Sequence, residues 1–223
     1  YLCVNMRVIF KYVVIALIPL IFTIFYFFKK EENKPIRELP YFGPKSYSKT
    51  TDTIYHTIPG FTFTNQYNKS FTDKQLNGKI YITEYFFTTC KSICPIMNNN
   101  LQKIYQTFYN DSSIYIVSHT VDPETDSVQI LKQYAEKHNV KNNQWQFLTG
   151  SKVDLYAIAR KGYLLNTEEG NGGEEDFIHT QNFALVDKEK RIRGFYDGTD
   201  STEINRLIID IKLLKQYYEY IKN

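Results

Sequence analysis

Two cysteines four residues apart, Cys90 and Cys94 in "YFFTTCKSICPIMNNN", are the residues of this chain best suited to chemistry. A disulfide between them would close a very small loop and add little stability through chain entropy. Two close cysteines also make no disulfide scaffold for a domain of this size. Taken alone, C-x-x-x-C is a weak signal that an incidental pair of small buried residues would also give. Redox exchange normally runs on C-x-x-C, where the second thiol resolves a mixed disulfide. Three intervening residues let both sulfurs face one external atom while keeping disulfide distance within reach. Two thiolates are soft donors suited to Cu(I), and an added histidine would make a three-coordinate site that also accepts Cu(II). Structural zinc normally takes four protein ligands, and no further cysteine is at hand.

Four histidines could supply the third donor. His56 precedes the first predicted hairpin and reads as a surface residue, and His138 ends a predicted helix ("AEKHN"), a place suited to the last carbonyls. His119 in "VSHTVDP" and His179 in "DFIHTQNFALVD" both stand near strand ends, and residue chemistry alone does not separate them.

These residues must be held by the elements around them. "KIYITEYFF" is β-branched and aromatic nearly throughout, as a buried central strand should be, and it runs straight into Cys90. Pro95 suits a first helical turn and disfavours helical geometry at the residue before it, so Cys94 is expected as N-cap with Cys90 in the loop ahead. Unpaired N–H groups and the helix dipole there would lower the pKa of at least one thiol. Met97, Leu101, Ile104, Tyr105 and Phe108 recur at helical spacing, so Met97 reads as core although its sulfur is soft enough for copper. "SIYIVSHTV" and "QWQFL" are further strands. Val128, Leu131, Tyr134 and Ala135 mark one helix and residues 153–161 another. "FTFTNQYNKSFT" and "FALVDKEKRIRGFYDG" read as hairpins, and a last helix starts at Asp200 with a capping-box pattern to Glu203. The order ββαβαβαββα describes an α/β domain with a central mixed sheet, an N-terminal β-hairpin and flanking helices, which a thioredoxin-like core fits. Ligands of open α/β sheets sit outside the carboxyl ends of the strands, where both cysteines fall.

With 43% hydrophobic residues, the 223-residue chain can build one domain with extras. A net charge of +3 with dispersed basic residues does not resemble a nucleic-acid binder. Residues 12–28 carry no charge, and with residues 8–10 they are just long enough to span a bilayer. Pro19 is tolerated there. No small-residue cleavage site follows, so an uncleaved anchor over residues 1–30 is expected, with the short N-terminus cytoplasmic and the rest exported. Met6 opens "MRVIFKYVV", a natural start that would leave Cys3 outside the working protein. Residues 31–52 read as a charged, proline-containing linker and residues 53–223 as the domain, with "NTEEGNGGEED" as an acidic, glycine-rich patch inside it.

The segments "GKIYITEYFFTTCKSICPIMNNNL", "VSHTVDPETDSVQILKQYA", "WQFLTG" and "DFIHTQNFALVD" resemble, in order and spacing, the Sco/SenC family over most of the domain. The resemblance implies a membrane-tethered, thioredoxin-like copper chaperone that serves the dinuclear copper centre of cytochrome c oxidase subunit II. It implies one copper, Cu(I) or Cu(II), on Cys90, Cys94 and His179, with Asp122 and Asp126 beside the site as the family's D-P-x-x-D element. It places the soluble domain on the periplasmic side of the inner membrane, with a copper chaperone or a thioredoxin-like reductant as further partners. The alternative it carries is a thiol-disulfide reductase that keeps the oxidase copper-ligand cysteines reduced, using Cys90 and Cys94 catalytically. Lys91 departs from the proline often found after the first cysteine. It adds positive charge favouring thiolate. His119 stands where many members have a residue that does not ligate.

Overall fold

A computed structural model describes residues 10, 15, 17–19, 21–26, 37–48, 52–165, 173 and 178–222. The chain divides into two compact units, Tyr1–Arg37 and Glu38–Asn223. In the first, the described residues up to Tyr26 are helical and exposed. Among the described residues no helix is long and apolar enough to cross a membrane. Much of the span expected over residues 12–28, and all but one residue of the acidic glycine-rich patch, lies outside the described residues.

The second unit holds a small hairpin, β1 (Lys45–Tyr47) with β2 (Thr53–Tyr55), and one seven-stranded sheet. That sheet contains β3 (Thr62–Asn65), β4 (Ser70–Thr72), β5 (Ile80–Phe86), β6 (Ile114–Thr120), β7 (Trp145–Thr149), β8 (Asn182–Val186) and β9 (Ile192–Asp197). Its order is β4-β3-β7-β6-β5-β8-β9. Strands β5, β6 and β7 run parallel at the centre, and hairpins β3–β4 and β8–β9 flank them antiparallel. The crossovers are α1 (Cys94–Thr107) and α2 (Val128–Lys137); α3 (Lys152–Ala157) continues into a π turn, Ile158–Gly162, and α4 (Ser201–Tyr220) closes the chain. The α/β order matches the thioredoxin-like expectation.

Two hydrophobic layers sandwich the sheet. Ile80, Ile82 and Phe86 of β5 point to the layer holding Met97, Leu101 and Ile104 of α1, Leu131 of α2 and Leu207 and Ile211 of α4. Tyr81 and Tyr85 point to the other layer, with Leu155, Tyr156 and Ile158 of α3 and its π turn. Alternation along β5 and β6 therefore decides which layer a side chain enters. Met97 is fully buried, as its spacing predicts.

The linker expected over residues 31–52 ends earlier, because the compact domain begins at Glu38. Leu39 is buried in the core, and Phe42 pairs with Ile192 of β9 through a backbone bridge. Arg193, itself buried, donates from Nε to the Pro40 carbonyl (3.1 Å), from Nη1 to Asp187 (2.9 Å) and from Nη2 to the Leu39 carbonyl (2.5 Å). The Tyr41 ring covers its guanidinium at 3.9 Å. A buried guanidinium needs such partners, and residues 39–41 supply part of them. At the last helix Asp200 is the N-cap and accepts from Thr202 N, but Glu203 pairs with Arg206 rather than closing the box.

Candidate functional site

Strand β5 ends at Phe86, and residues 87–93 carry the chain to α1. Both cysteines are unbridged; Cys90 is half-buried and Cys94 only 3% exposed. The N-cap is Ile93, not Cys94 as expected; Cys94 is already helical, with Pro95 behind it in the first turn. The first four N–H groups of a helix lack internal partners, so proline fits the second position as well as the first. Packing of Cys94 into the core layer with Met97 and Phe86 holds it in the helical geometry that a following proline disfavours.

That shift hands the capping role to a sulfur. Cys94 N–H points at Cys90 Sγ at 3.4 Å, and the Ser92 hydroxyl lies 3.7 Å from the same atom. The two thiols differ in consequence. Burial works against a Cys90 thiolate, but hydrogen bonds from the Cys94 thiol and from the Cys94 and Ser92 backbone and side-chain groups outweigh it, so its pKa is lowered. Burial pushes the Cys94 thiol up to about 12, helped by its hydrogen bond to Cys90 and by the charges of Cys90 and Glu84. The expected low-pKa thiol is thus Cys90, poised as the thiolate, with Cys94 held in reserve as the protonated partner.

Asp126 fixes the loop that presents Cys90. Its buried carboxylate accepts from Thr88 N (3.3 Å to each oxygen) and from the hydroxyls of Thr88 and Thr120. It ties the residue two before Cys90 to the end of β6. Burial raises its pKa against those hydrogen bonds. Asp122 shapes the turn instead: its carbonyl accepts from Asp126 N (2.8 Å), and its own N–H donates to Thr120 Oγ1 (2.9 Å).

The two histidines left level by the sequence part completely. His119 is fully buried on the sheet face opposite Cys94, stacked on Tyr85 at 5.1 Å and ringed by Phe61, Phe63 and Tyr163. Its Nδ1 meets Thr83 Oγ1 at 3.2 Å; burial pushes its pKa down to about 3. His119 is a neutral core residue. His179 is exposed and stands three residues before β8. Because β8 runs antiparallel to β5, with Ala184 opposite Thr83, β8 begins at the edge where β5 ends and the cysteine loop starts. Among the described residues no three His, Cys, Asp or Glu side chains are grouped to hold a metal ion. The structure therefore assembles the two sulfurs and brings the His179 segment to their edge of the sheet without gathering the three donors.

The other two histidines are structural. His138 caps α2 and packs on Tyr134 (4.6 Å), and His56 Nε2 meets the Gly162 carbonyl at 2.7 Å, so it is not the plain surface residue expected.

One residue of the site was missed in the sequence. Glu84, in the middle of β5, is fully buried on the face toward α1, and burial pushes its carboxyl up to about 8. The signal was available: a carboxylate inside an otherwise apolar central strand must be paired or neutral.

The sulfur pair at a strand–helix junction can be set beside known proteins. The family model SCO1/SenC matches residues 49–214. The SCO1 protein homolog of Bacillus subtilis is 28% identical over 165 residues, covering 72% of this chain and 84% of that protein. The solved structure of BsSco, a member of the Sco family of cytochrome c oxidase assembly proteins described with a disulfide switch, superposes with a TM-score of 0.63 at 26% identity, over 81% of this chain and 98% of that one. Arabidopsis thaliana ScoI, solved with copper bound, gives a TM-score of 0.56 at 27% identity over 71% and 98%. The match over three quarters of its length, with both cysteines inside it, makes this chain a member of the SCO1/SenC family.

Proposed function

We propose that this protein is a membrane-tethered copper chaperone of cytochrome c oxidase assembly. It takes one copper ion as cargo on Cys90 and Cys94, with His179 as third donor, and passes it to the dinuclear copper centre of subunit II. The carrying observation is the pair of free thiols at one helix start, one with a lowered pKa. Two soft sulfurs within reach of each other favour Cu(I), and an imidazole extends the site to Cu(II). Support comes from the solved copper-bound relative and from the position of His179 at the cysteine edge of the sheet. His119 is the wrong donor because its ring sits in the opposite core layer. Asp126 acts through Thr88 on the loop that carries Cys90. The uncharged residues 12–28 would tether the domain to the inner membrane in a single pass, on the periplasmic side. A donor copper chaperone or a thioredoxin-like reductant would complete its set of partners.

The test is metal analysis and absorption spectroscopy of the reduced chain titrated with copper. One copper per chain and a Cu(II)–thiolate charge-transfer band that disappears in His179→Ala are expected. Stoichiometric binding with an unchanged band in His179→Ala would remove His179 from the ligand set.

A second reading is favoured by the split between the thiols: a thiol-disulfide reductase in which the Cys90 thiolate attacks an oxidase disulfide and Cys94 resolves the mixed disulfide. It keeps full function in His179→Ala, which separates it from the chaperone.

A further inference from the structure

Behind Cys94 lies a buried polar chain with one link unaccounted for. Trp145 Nε1–H donates to Ser118 Oγ at 2.9 Å, so the Ser118 hydroxyl is free to donate onward, and it does so to Glu84 Oε1 at 2.8 Å. On the facing helix Asn98 donates from Nδ2 to the Cys94 carbonyl (2.9 Å) and to the Tyr134 hydroxyl (3.0 Å). The Cys94 carbonyl can only accept, which fixes the orientation of the Asn98 amide. Glu84 Oε2 and Asn98 Oδ1 are then both buried without a hydrogen-bond partner. Both residues are fully buried, and both belong to the α1 side of the sheet: Glu84 lies between Ile82 and Phe86 on β5, Asn98 between Met97 and Leu101 on α1.

Two buried acceptors facing inward are costly if both stay unmet, and an ionised Glu84 would add an uncompensated charge. No Lys or Arg among the described residues pairs with Glu84. One proton on Glu84 removes both problems. Since Ser118 occupies Oε1, that proton sits on Oε2, the oxygen lacking a partner.

We propose that Glu84 is a positioning residue for the thiol pair: its neutral carboxyl donates Oε2–H to Asn98 Oδ1 and so joins the sheet to the first turn of α1. The continuous chain then runs from Trp145 through Ser118, Glu84 and Asn98 to the Cys94 carbonyl and Tyr134. The raised pKa of Glu84 agrees with this protonation state. Burial raises both Tyr134 and Cys94, and an ionised Glu84 would raise each of them further. Because the link needs a donor and not a charge, glutamine should replace Glu84: its Oε1 accepts from Ser118 and its Nε2 donates to Asn98. The inference rests on Cys90 and Cys94 being the functional pair, though not on their cargo.

The experiment has two parts, both on the metal-free chain. Infrared spectra of wild type at pH 7 should show a protonated-carboxyl C=O band that Glu84→Gln removes; its absence from wild type overturns the proposal. The Cys90–Cys94 reduction potential, measured in thiol buffers, should be unchanged in Glu84→Gln. In Glu84→Leu it should move by the equivalent of about a tenfold change in the exchange equilibrium, roughly 30 mV. Asn98→Ala, which cuts the same link from the helix side, should move it likewise and serves if Glu84→Leu does not fold. A Gln variant displaced as far as the Leu or Ala variant, or a Leu or Ala variant at the wild-type value, overturns the proposal. Failure to bind copper in the same preparation would remove the chaperone reading and leave these outcomes intact.

Discussion

Two buried polar pockets lie back to back across the central strands, and they are made from neighbouring residues. On the α1 side, Glu84 pairs with Ser118; on the other side, Thr83 and Tyr85 hold His119. The parallel register sets Glu84 opposite Ser118 and Tyr85 opposite His119. One step along the strand thus moves a titratable group from the layer containing Cys94 to a closed aromatic layer. A histidine near the end of the right strand is therefore a core residue, while a glutamate inside a strand stands behind Cys94, the thiol held in reserve.

The comparison can be broken at several points. Cys94→Ser should have the largest effect, abolishing stoichiometric copper binding and disulfide formation together; a titration showing intact binding would detach the α1 side from the chemistry. Asp126→Ala should loosen the Thr88 anchor and lower copper affinity by about 10- to 100-fold without unfolding the chain, as competition against a chelator of known affinity will show. His119→Phe keeps the aromatic volume and removes a buried imidazole, so copper affinity and spectrum should stay at wild-type values. A lost charge-transfer band would contradict its assignment to the core.

The smallest effect is also the most telling, because the two pockets respond to pH in opposite directions. His119 has its folded pKa lowered to about 3 from 6.5, so the unfolded chain takes up the proton first and stability falls as pH drops below 6.5. Glu84 has its folded pKa raised to about 8 from 4.5, so its contribution is complete below 4.5 and is lost as pH rises toward 8. Each slope is roughly 1 kcal/mol per pH unit. Between pH 4.5 and 6.5 the two oppose each other. Urea midpoints in that window should rise with pH in Glu84→Gln and fall with pH in His119→Phe, relative to wild type. Parallel curves for all three proteins would show that neither pocket titrates as described.

The sequence revealed the cysteine strand, the helix after it and the order of the sheet because these are local patterns of alternation and spacing. "KIYITEYFF" leads into Cys90, and Met97, Leu101 and Ile104 mark the buried face of α1. Residue chemistry could not separate His119 from His179 without knowing which sheet face His119 occupies, and a strand buried on both faces carries no polar alternation to tell. Glu84 was overlooked for the same reason. Residues 39–42 read as linker because their partners, Ile192 and Arg193, lie about 150 residues away.

That segment bears on how a fragment of this protein should be cut. A piece beginning at residue 53, where the hydrophobic pattern first becomes regular, would omit Leu39, the Phe42 bridge to β9 and two carbonyls that receive the Arg193 guanidinium. The arginine would remain in the interior with Asp187 as its chief remaining partner, and the sheet edge at β9 would lie bare. Poor yield or aggregation of such a fragment would reflect the missing N-terminal strap and say nothing about the thiols. A boundary at or before Glu38 keeps the edge covered, and only there can the chemistry of Cys90 and Cys94 be judged on a complete domain.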